Sequence, residues 1–293
     1  MTRSIAFLYP GQGTLPGEVL PPTPEMLSLY ETAERLGLPL RAWIASGNTD
    51  RLARTDAAQP AIFLDSIART DLLRSRGLSP SAVAGHSLGE YPALVAAGVL
   101  GATDALRVVL RRGAAMSGIE GGMVAVLRLD LEAVRALCGR VGNGVFFANH
   151  NGPAQVVVSG TRDALDSLAR AAKELGGQTV PLSVSGPFHS PFMRPAEAAL
   201  APDIARLPFS SPRVPLVSSV SGAAEREPER LRALLAAQIT SCVRWVDVLE
   251  ALIAMGTTHA VEVGPGHVLT NLGRRATDRI RFATYKEAMD GAL

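Results

Sequence analysis

Apolar positions in this chain fall into short compact runs and longer stretches with helical spacing. Ser4 to Tyr9 is a compact run that ends at the glycine turn Pro10-Gly11-Gln12-Gly13, and it predicts a strand. Residues 14–24 are proline-rich and predict a loop. Helical stretches follow around 24–37 and 58–76, then a strand over Ala82-Val83-Ala84. Further on, Val214 to Val220 and His259 to Val263 predict strands. Helix-like segments neighbour them at Arg194 to Arg206, Pro228 to Gln238 and Trp245 to Met255. Strands alternating with helices imply a parallel α/β sheet.

The middle of the chain has another rhythm. Met123 to Leu129 predicts a strand and Asp130 to Gly139 a helix. Val145 to Asn149 and Gln155 to Ser159 predict strands joined by the turn Asn151-Gly152-Pro153. Thr161 to Leu175 predicts a helix stopped by Gly176-Gly177, and Gln178 to Val184 a last strand. The order β-α-β-β-α-β is that of a split βαβ, ferredoxin-like unit. Gly121-Gly122 and Gly186-Pro187 bracket it. The expected organisation is therefore a small domain over 122–187 inserted into a discontinuous larger domain, 1–121 and 188–293. The cleft between the two is the natural place for a site.

The richest local signal is Gly85-His86-Ser87-Leu88-Gly89. It sits between the strand at 82–84 and the apolar, helix-compatible segment Tyr91 to Leu100. That is G-x-S-x-G in a strand–turn–helix setting, where flanking glycines let strand and helix approach and the serine hydroxyl projects from the turn. The helix N-terminus behind it offers free N–H groups. The expected chemistry is nucleophilic attack by Ser87 on an acyl carbonyl.

Composition narrows the rest. The 293 residues are 47% hydrophobic, ample for one or two domains. A net charge of +2, from 29 basic and 27 acidic residues, gives no field directed at nucleic acid. The apolar part of the N-terminus is too short for a signal peptide, and no apolar run is long enough to span a membrane. Cys138 and Cys242 match no metal spacing, and a reduced cytoplasm is the expected setting.

A serine nucleophile needs a base. Of the five histidines, His189 lies in Gly186-Pro187-Phe188-His189-Ser190, where the small unit returns to the large one. His150 precedes a turn, and His259 and His267 read as structural. His86 neighbours the nucleophile, but its side chain is expected to point away from the hydroxyl. No acid between Ser87 and His189 reads as a third triad member. A backbone carbonyl could instead fix the tautomer of the base. Thr103 to Met116 predicts a helix. At about 100° per residue, Ala105, Val109 and Met116 share one face, Arg107 and Arg111 fall opposite, and Arg112 falls within the apolar face. A buried guanidinium needs a partner. Either a protein carboxylate or the carboxylate of a substrate, gripped by a bidentate fork, would serve. The second reading points to an acyl group with its own negative charge, such as malonyl.

These residues carry a family resemblance. The chain resembles the malonyl-coenzyme A:acyl carrier protein transacylases and, more broadly, the acyltransferase domains of fatty-acid and polyketide synthases. The matching motifs, in order, are Tyr9-Pro10-Gly11-Gln12-Gly13, Gln59-Pro60-Ala61, Gly85 to Tyr91 and Arg112-Gly113. They continue with Pro187-Phe188-His189-Ser190, Gln238, Val243-Arg244-Trp245 and Glu262-Val263-Gly264-Pro265-Gly266. The resemblance implies an α/β-hydrolase-like large domain with a ferredoxin-like insertion. It implies Ser87 as nucleophile, His189 as general base, and an oxyanion hole from the backbone N–H groups of Gln12 and Leu88. Arg112 would clamp the malonyl carboxylate, with Gln59 and His86 also at the substrate. Phe188 would disfavour a branched methylmalonyl group, and Gln238 would support His189 through its main chain. No tightly bound cofactor is implied. Malonyl-coenzyme A would be the donor and a phosphopantetheinylated acyl carrier protein the partner. Arg274, Arg275, Arg279 and Arg281 form a candidate docking cluster for an acidic carrier, or simply a solvated surface. Thr14-Leu15, the shortened proline-rich segment after Gly13, and Cys242 depart from the family pattern. A polyketide acyltransferase, a malonate decarboxylase subunit, an acyl-thioester hydrolase and a non-catalytic docking subunit remain alternatives.

Overall fold

The computed structural model describes residues 4–13, 19–20 and 26–291. Apart from residues 19 and 20, the expected proline-rich loop lies outside the described residues, as does Thr14-Leu15. The strands are β1 (Ile5–Tyr9), β2 (Ala82–Gly85), β3 (Gly122–Leu127), β4 (Val145–Gly152), β5 (Gln155–Gly160), β6 (Gln178–Pro181), β7 (Leu216–Val217), β8 (Ala224–Glu225), β9 (His259–Glu262) and β10 (Arg281–Thr284). Six of them form a sheet in the order β10-β9-β1-β2-β7-β8, parallel except for β8.

Helices cover both faces of this sheet, so its central strand is apolar throughout. Ile5, Phe7 and Tyr9 of β1 enter one core layer, while Ala6 and Leu8 enter the other. This alternation follows from the two-residue period of a strand. Beyond β9, Glu262 accepts hydrogen bonds from the N–H groups of Leu269 and Thr270 at 3.0 and 2.8 Å, capping helix Val268–Ala276.

The other four strands form an antiparallel sheet in the order β4-β5-β3-β6. With helices Leu131–Val141 and Arg162–Glu174 between its strands, this is the ferredoxin-like order expected from the sequence. Val124, Val126, Val156 and Val158 pack beneath the two helices. Met123, Ala125 and Val157 point the other way and join the core of the large sheet. The two layers are also stitched through the backbone: His150 N–H donates to the Val243 carbonyl, and Val243 N–H donates to that of Ala148, both at 2.8 Å.

Several boundaries differ from expectation. Only Leu216–Val217 of the run Val214 to Val220 forms a strand, because Ser218 and Ser219 turn their hydroxyls to a buried carboxylate. The strand expected to reach Val184 ends at Pro181; Leu182 N–H still donates to the Met123 carbonyl at 2.9 Å, but Val184 N–H turns back to the Leu182 carbonyl at 2.8 Å. The helix expected at 58–76 spans Thr55–Ser75, and the first helix is Leu27–Arg35. Short helices Leu40–Ala45 and Thr49–Ala53 and edge strand β10 were not expected. Helix Ala102–Ser117 has the predicted phase, with Ala105, Val109, Arg112 and Met116 buried. Arg107 and Arg111 face out and pair with Asp104 and Asp203.

Candidate active site

β2 runs into a tight turn at Ser87–Gly89 and then into helix Glu90–Ala96. Ser87 sits at φ +53°, in the left-handed region that costs a non-glycine residue energy. The flanking glycines make the turn possible: a Cβ on Gly85 would overlap the backbone of Gly89 and Glu90, and one on Gly89 would overlap the Tyr9 carbonyl. Gly11 lies against the same turn, where a Cβ would fall 2.7 Å from the His86 carbonyl and 3.5 Å from Ser87 Cβ. The glycine turn after β1 is thereby seated against the elbow, and it carries Gln12 beside it.

His189 reaches Ser87 from 102 residues further along the chain. Its Nε2 lies 2.7 Å from Ser87 Oγ. Its Nδ1 faces two carbonyls, those of Ser241 at 2.9 Å and Gln238 at 3.1 Å. Carbonyls only accept, so Nδ1 carries the proton and Nε2 presents a lone pair to the serine hydroxyl. His189 is itself at φ +59°, held there in part by its N–H donating to the Ile239 carbonyl at 3.1 Å. The backbone thus supplies the orienting group for which no acid was found in the sequence.

Burial lowers the pKa of His189 to about 3, reinforced by the Arg112 cation and by His86. The lowered value keeps the imidazole neutral, the form a general base needs, until the pH falls through that range. Sulfonylation of Ser87 by an uncharged reagent such as phenylmethanesulfonyl fluoride, which loses fluoride as the serine oxygen bonds to sulfur, is therefore expected to hold its rate from about pH 8 to about pH 5. An inflection near the ordinary histidine value of 6.5 in stopped-time inactivation assays would contradict this environment.

Arg112 is 1% exposed, and its guanidinium closes the third side of the serine. Nη1 donates to Gln59 Oε1 at 2.7 Å; Nη2 lies 3.1 Å from Ser87 Oγ and 3.2 Å from Gln238 Oε1. The cation also stands over the Tyr91 ring, 5.8 Å from its centre. Among the described residues no carboxylate forms an ion pair with it, and its Nε has no hydrogen-bond partner. The guanidinium is therefore held by neutral amides beside the nucleophile.

The remaining expected residues are placed around this centre. Leu88 is fully buried in the turn after Ser87. The Gln12 side chain donates to Thr55 Oγ1 at 3.1 Å. Phe188 is buried beside His189 in sequence, its ring against Gly186. The His86 ring turns from the hydroxyl, with Nε2 2.9 Å from Asn151 Oδ1 and its face against Trp245. Burial lowers its pKa as well. His86, Gly11 and Gln12 form one wall of a cleft of about 460 Å³ whose other walls include Asn151, Val157 and Arg275. Arg274, in contrast, is committed to Glu287 and the Phe282 carbonyl.

The sequence reading missed Glu90. Its carboxylate is 2% exposed and accepts from Ser218 Oγ at 2.7 Å, Ser219 Oγ at 3.1 Å and Gln238 Nε2 at 2.6 Å. An acid opening an otherwise apolar helix is the same signal that singled out Arg112. Burial raises its pKa, opposed by these hydrogen bonds and by Arg112.

A family model for the acyl transferase domain matches residues 30–289. The chain belongs to the acyl transferase family. A malonyl CoA-acyl carrier protein transacylase of Bacillus subtilis is 38% identical over 290 residues, covering 94% of this chain and 92% of the relative. An acyl-carrier-protein S-malonyltransferase of Burkholderia pseudomallei superposes with a TM-score of 0.90 at 35% identity, covering 98% of this chain and all of the other. A malonyl-transacylase solved in complex with a type II polyketide synthase acyl-carrier protein gives 0.89 at 32% identity, with 98% and 99% covered. The α/β architecture of this acyl transferase, with its large parallel and small antiparallel sheets, is that of these neighbours. Among the described residues no helix is long and apolar enough to cross a membrane, and no group of three or more His, Cys, Asp or Glu side chains could hold a metal.

Proposed function

We propose that this enzyme moves a malonyl group from coenzyme A to the phosphopantetheine thiol of an acyl carrier protein, through a malonyl ester on Ser87. The observation that carries the reading is Arg112: a buried cation 3.1 Å from the nucleophile, with no carboxylate of its own. Ser87 Oγ attacks the thioester carbonyl as His189 Nε2 takes its proton. The Gln12 and Leu88 backbone N–H groups receive the developing oxyanion, an arrangement whose single donors are worth roughly 10²–10³ in rate. Arg112, steadied by Gln59 and Gln238, takes the distal carboxylate of the acyl group. Phe188 supplies bulk against a branched acyl chain. The C–S bond breaks, and coenzyme A leaves with the proton from His189. In the second half, His189 deprotonates the carrier thiol, whose sulfur attacks the ester, and Ser87 recovers its proton.

Transfer is favoured over hydrolysis by the relatives, which are transacylases or a malonyltransferase by name. Intact-mass measurement after mixing with malonyl-coenzyme A tests the proposal. A malonyl adduct on Ser87 that persists without carrier and is discharged by a phosphopantetheinylated carrier is expected. Rapid release of free malonate without carrier would replace the transferase with a hydrolase. Running the second half against fatty-acid and polyketide carriers in parallel identifies the partner.

A further inference from the structure

A buried acid directly behind the nucleophile has no part in the malonyl-transfer steps. Glu90 opens the helix behind the nucleophile, and its carboxylate is nearly as buried as the Arg112 guanidinium. The two charges do not touch; the side-chain amide of Gln238 stands between them. Gln238 Oε1 accepts from Arg112 Nη2 at 3.2 Å. Its Nε2 donates to Glu90 Oε2 at 2.6 Å and to the Ser87 carbonyl at 2.9 Å.

This amide can sit only one way round. Reversed, its oxygen would face a carboxylate and a carbonyl, all acceptors, and its NH₂ would face the guanidinium, all donors. A charge-assisted bond to Glu90 is the strongest of the contacts that decide between the two orientations. Ser218 and Ser219 fix the carboxylate in turn. A direct Glu90–Arg112 pair would occupy the fork that the substrate needs. One amide of separation keeps the counter-charge nearby while the guanidinium meets only neutral acceptors, with Nε still unpartnered. The same Gln238 also gives its main-chain carbonyl to His189 Nδ1, so one residue anchors both the base and the cation.

We propose that Glu90 is a positioning residue for acyl-group selection: through the Gln238 amide it aims Arg112 at the substrate carboxylate. The inference rests on the malonyl-transfer reading. Two effects oppose each other when the Glu90 charge is removed. The bare cation attracts malonate more strongly, while an amide left with the Ser87 carbonyl as the acceptor of its NH₂ turns more readily, presents donors to the guanidinium and spoils its aim. The second acts in direct contact with Arg112 and the first from beyond the amide, so the second dominates.

The test compares Glu90→Gln with wild type in single-turnover loading of Ser87 by malonyl-coenzyme A and by acetyl-coenzyme A, read by intact mass. The substitution preserves shape. The malonyl-to-acetyl rate ratio is expected to fall by about tenfold, the weight of one charge-assisted hydrogen bond, with the larger loss in malonyl loading. Ser218→Ala, which removes only one support of the carboxylate, is expected to lower the ratio in the same direction by less. A ratio that stays the same or rises in both variants, or an equal loss toward both thioesters, overturns the positioning role. Wild-type enzyme that forms no malonyl ester would instead overturn the functional reading, and this inference with it.

Discussion

Replacing His189 by asparagine is expected to slow the acylation of Ser87 by malonyl-coenzyme A by about 10²–10⁴-fold, the usual worth of a positioned general base. Asparagine suits the test because this position lies at φ +59°, where asparagine is tolerated better than alanine. A loss of rate then reports chemistry more than a collapsed loop. The geometry explains why the loss is large. Nε2 is 2.7 Å from Ser87 Oγ, and Nδ1 is pinned by the Ser241 and Gln238 carbonyls, so the correct tautomer is built in. The shorter asparagine cannot span both the carbonyls and the hydroxyl. Rapid-quench measurement of the malonyl ester gives the rate directly. Loading within about threefold of wild type would mean that another group takes the serine proton, since even modest general bases contribute more than that.

How the site was legible in the sequence follows from what kind of atoms build it. The elbow was visible because its glycines answer a steric demand: no other residue fits where Gly89 meets the Tyr9 carbonyl. Arg112 was visible because a helix has a fixed angular step, and a charge in the apolar phase has few explanations. The orientation of His189 could only be framed as a possibility, since the Ser241 carbonyl that shares it belongs to a backbone that every residue type has. Glu90 was passed over although it adjoins the elbow. Its meaning comes from Ser218, Ser219 and Gln238, more than 120 residues away, two of which read as part of a strand. The same blindness affected the large sheet. β10 is a four-residue edge strand that buries only Phe282 and Ala283, between Arg281 and Thr284, too little apolar pattern to predict it.

Arg112→Ala is expected to lower malonyl loading relative to acetyl loading by roughly 10²–10³-fold. Breaking a buried charge pair costs about 3–5 kcal/mol, and about 1.4 kcal/mol is tenfold. In this variant the pair would be lost only in the malonyl complex, because the free enzyme offers Arg112 amides and a hydroxyl but no contacting carboxylate. Acetyl, with no distal charge, gives up nothing equivalent. The base is also affected: Arg112 is among the causes that hold the His189 pKa down, so its removal moves that value upward. His189 then becomes a somewhat stronger base toward both thioesters, so this effect cancels in the ratio, which reports the lost carboxylate contact alone. Arg112→Lys separates charge from shape. Lysine keeps the cation but cannot bridge Gln59 and Gln238 with a planar fork, so it is expected to fall between wild type and alanine. Single-turnover loading with the two thioesters measures the ratio in all three proteins. An equal decline of malonyl and acetyl loading in Arg112→Ala would assign the arginine to holding the elbow, and the choice of acyl group would then lie elsewhere in the cleft.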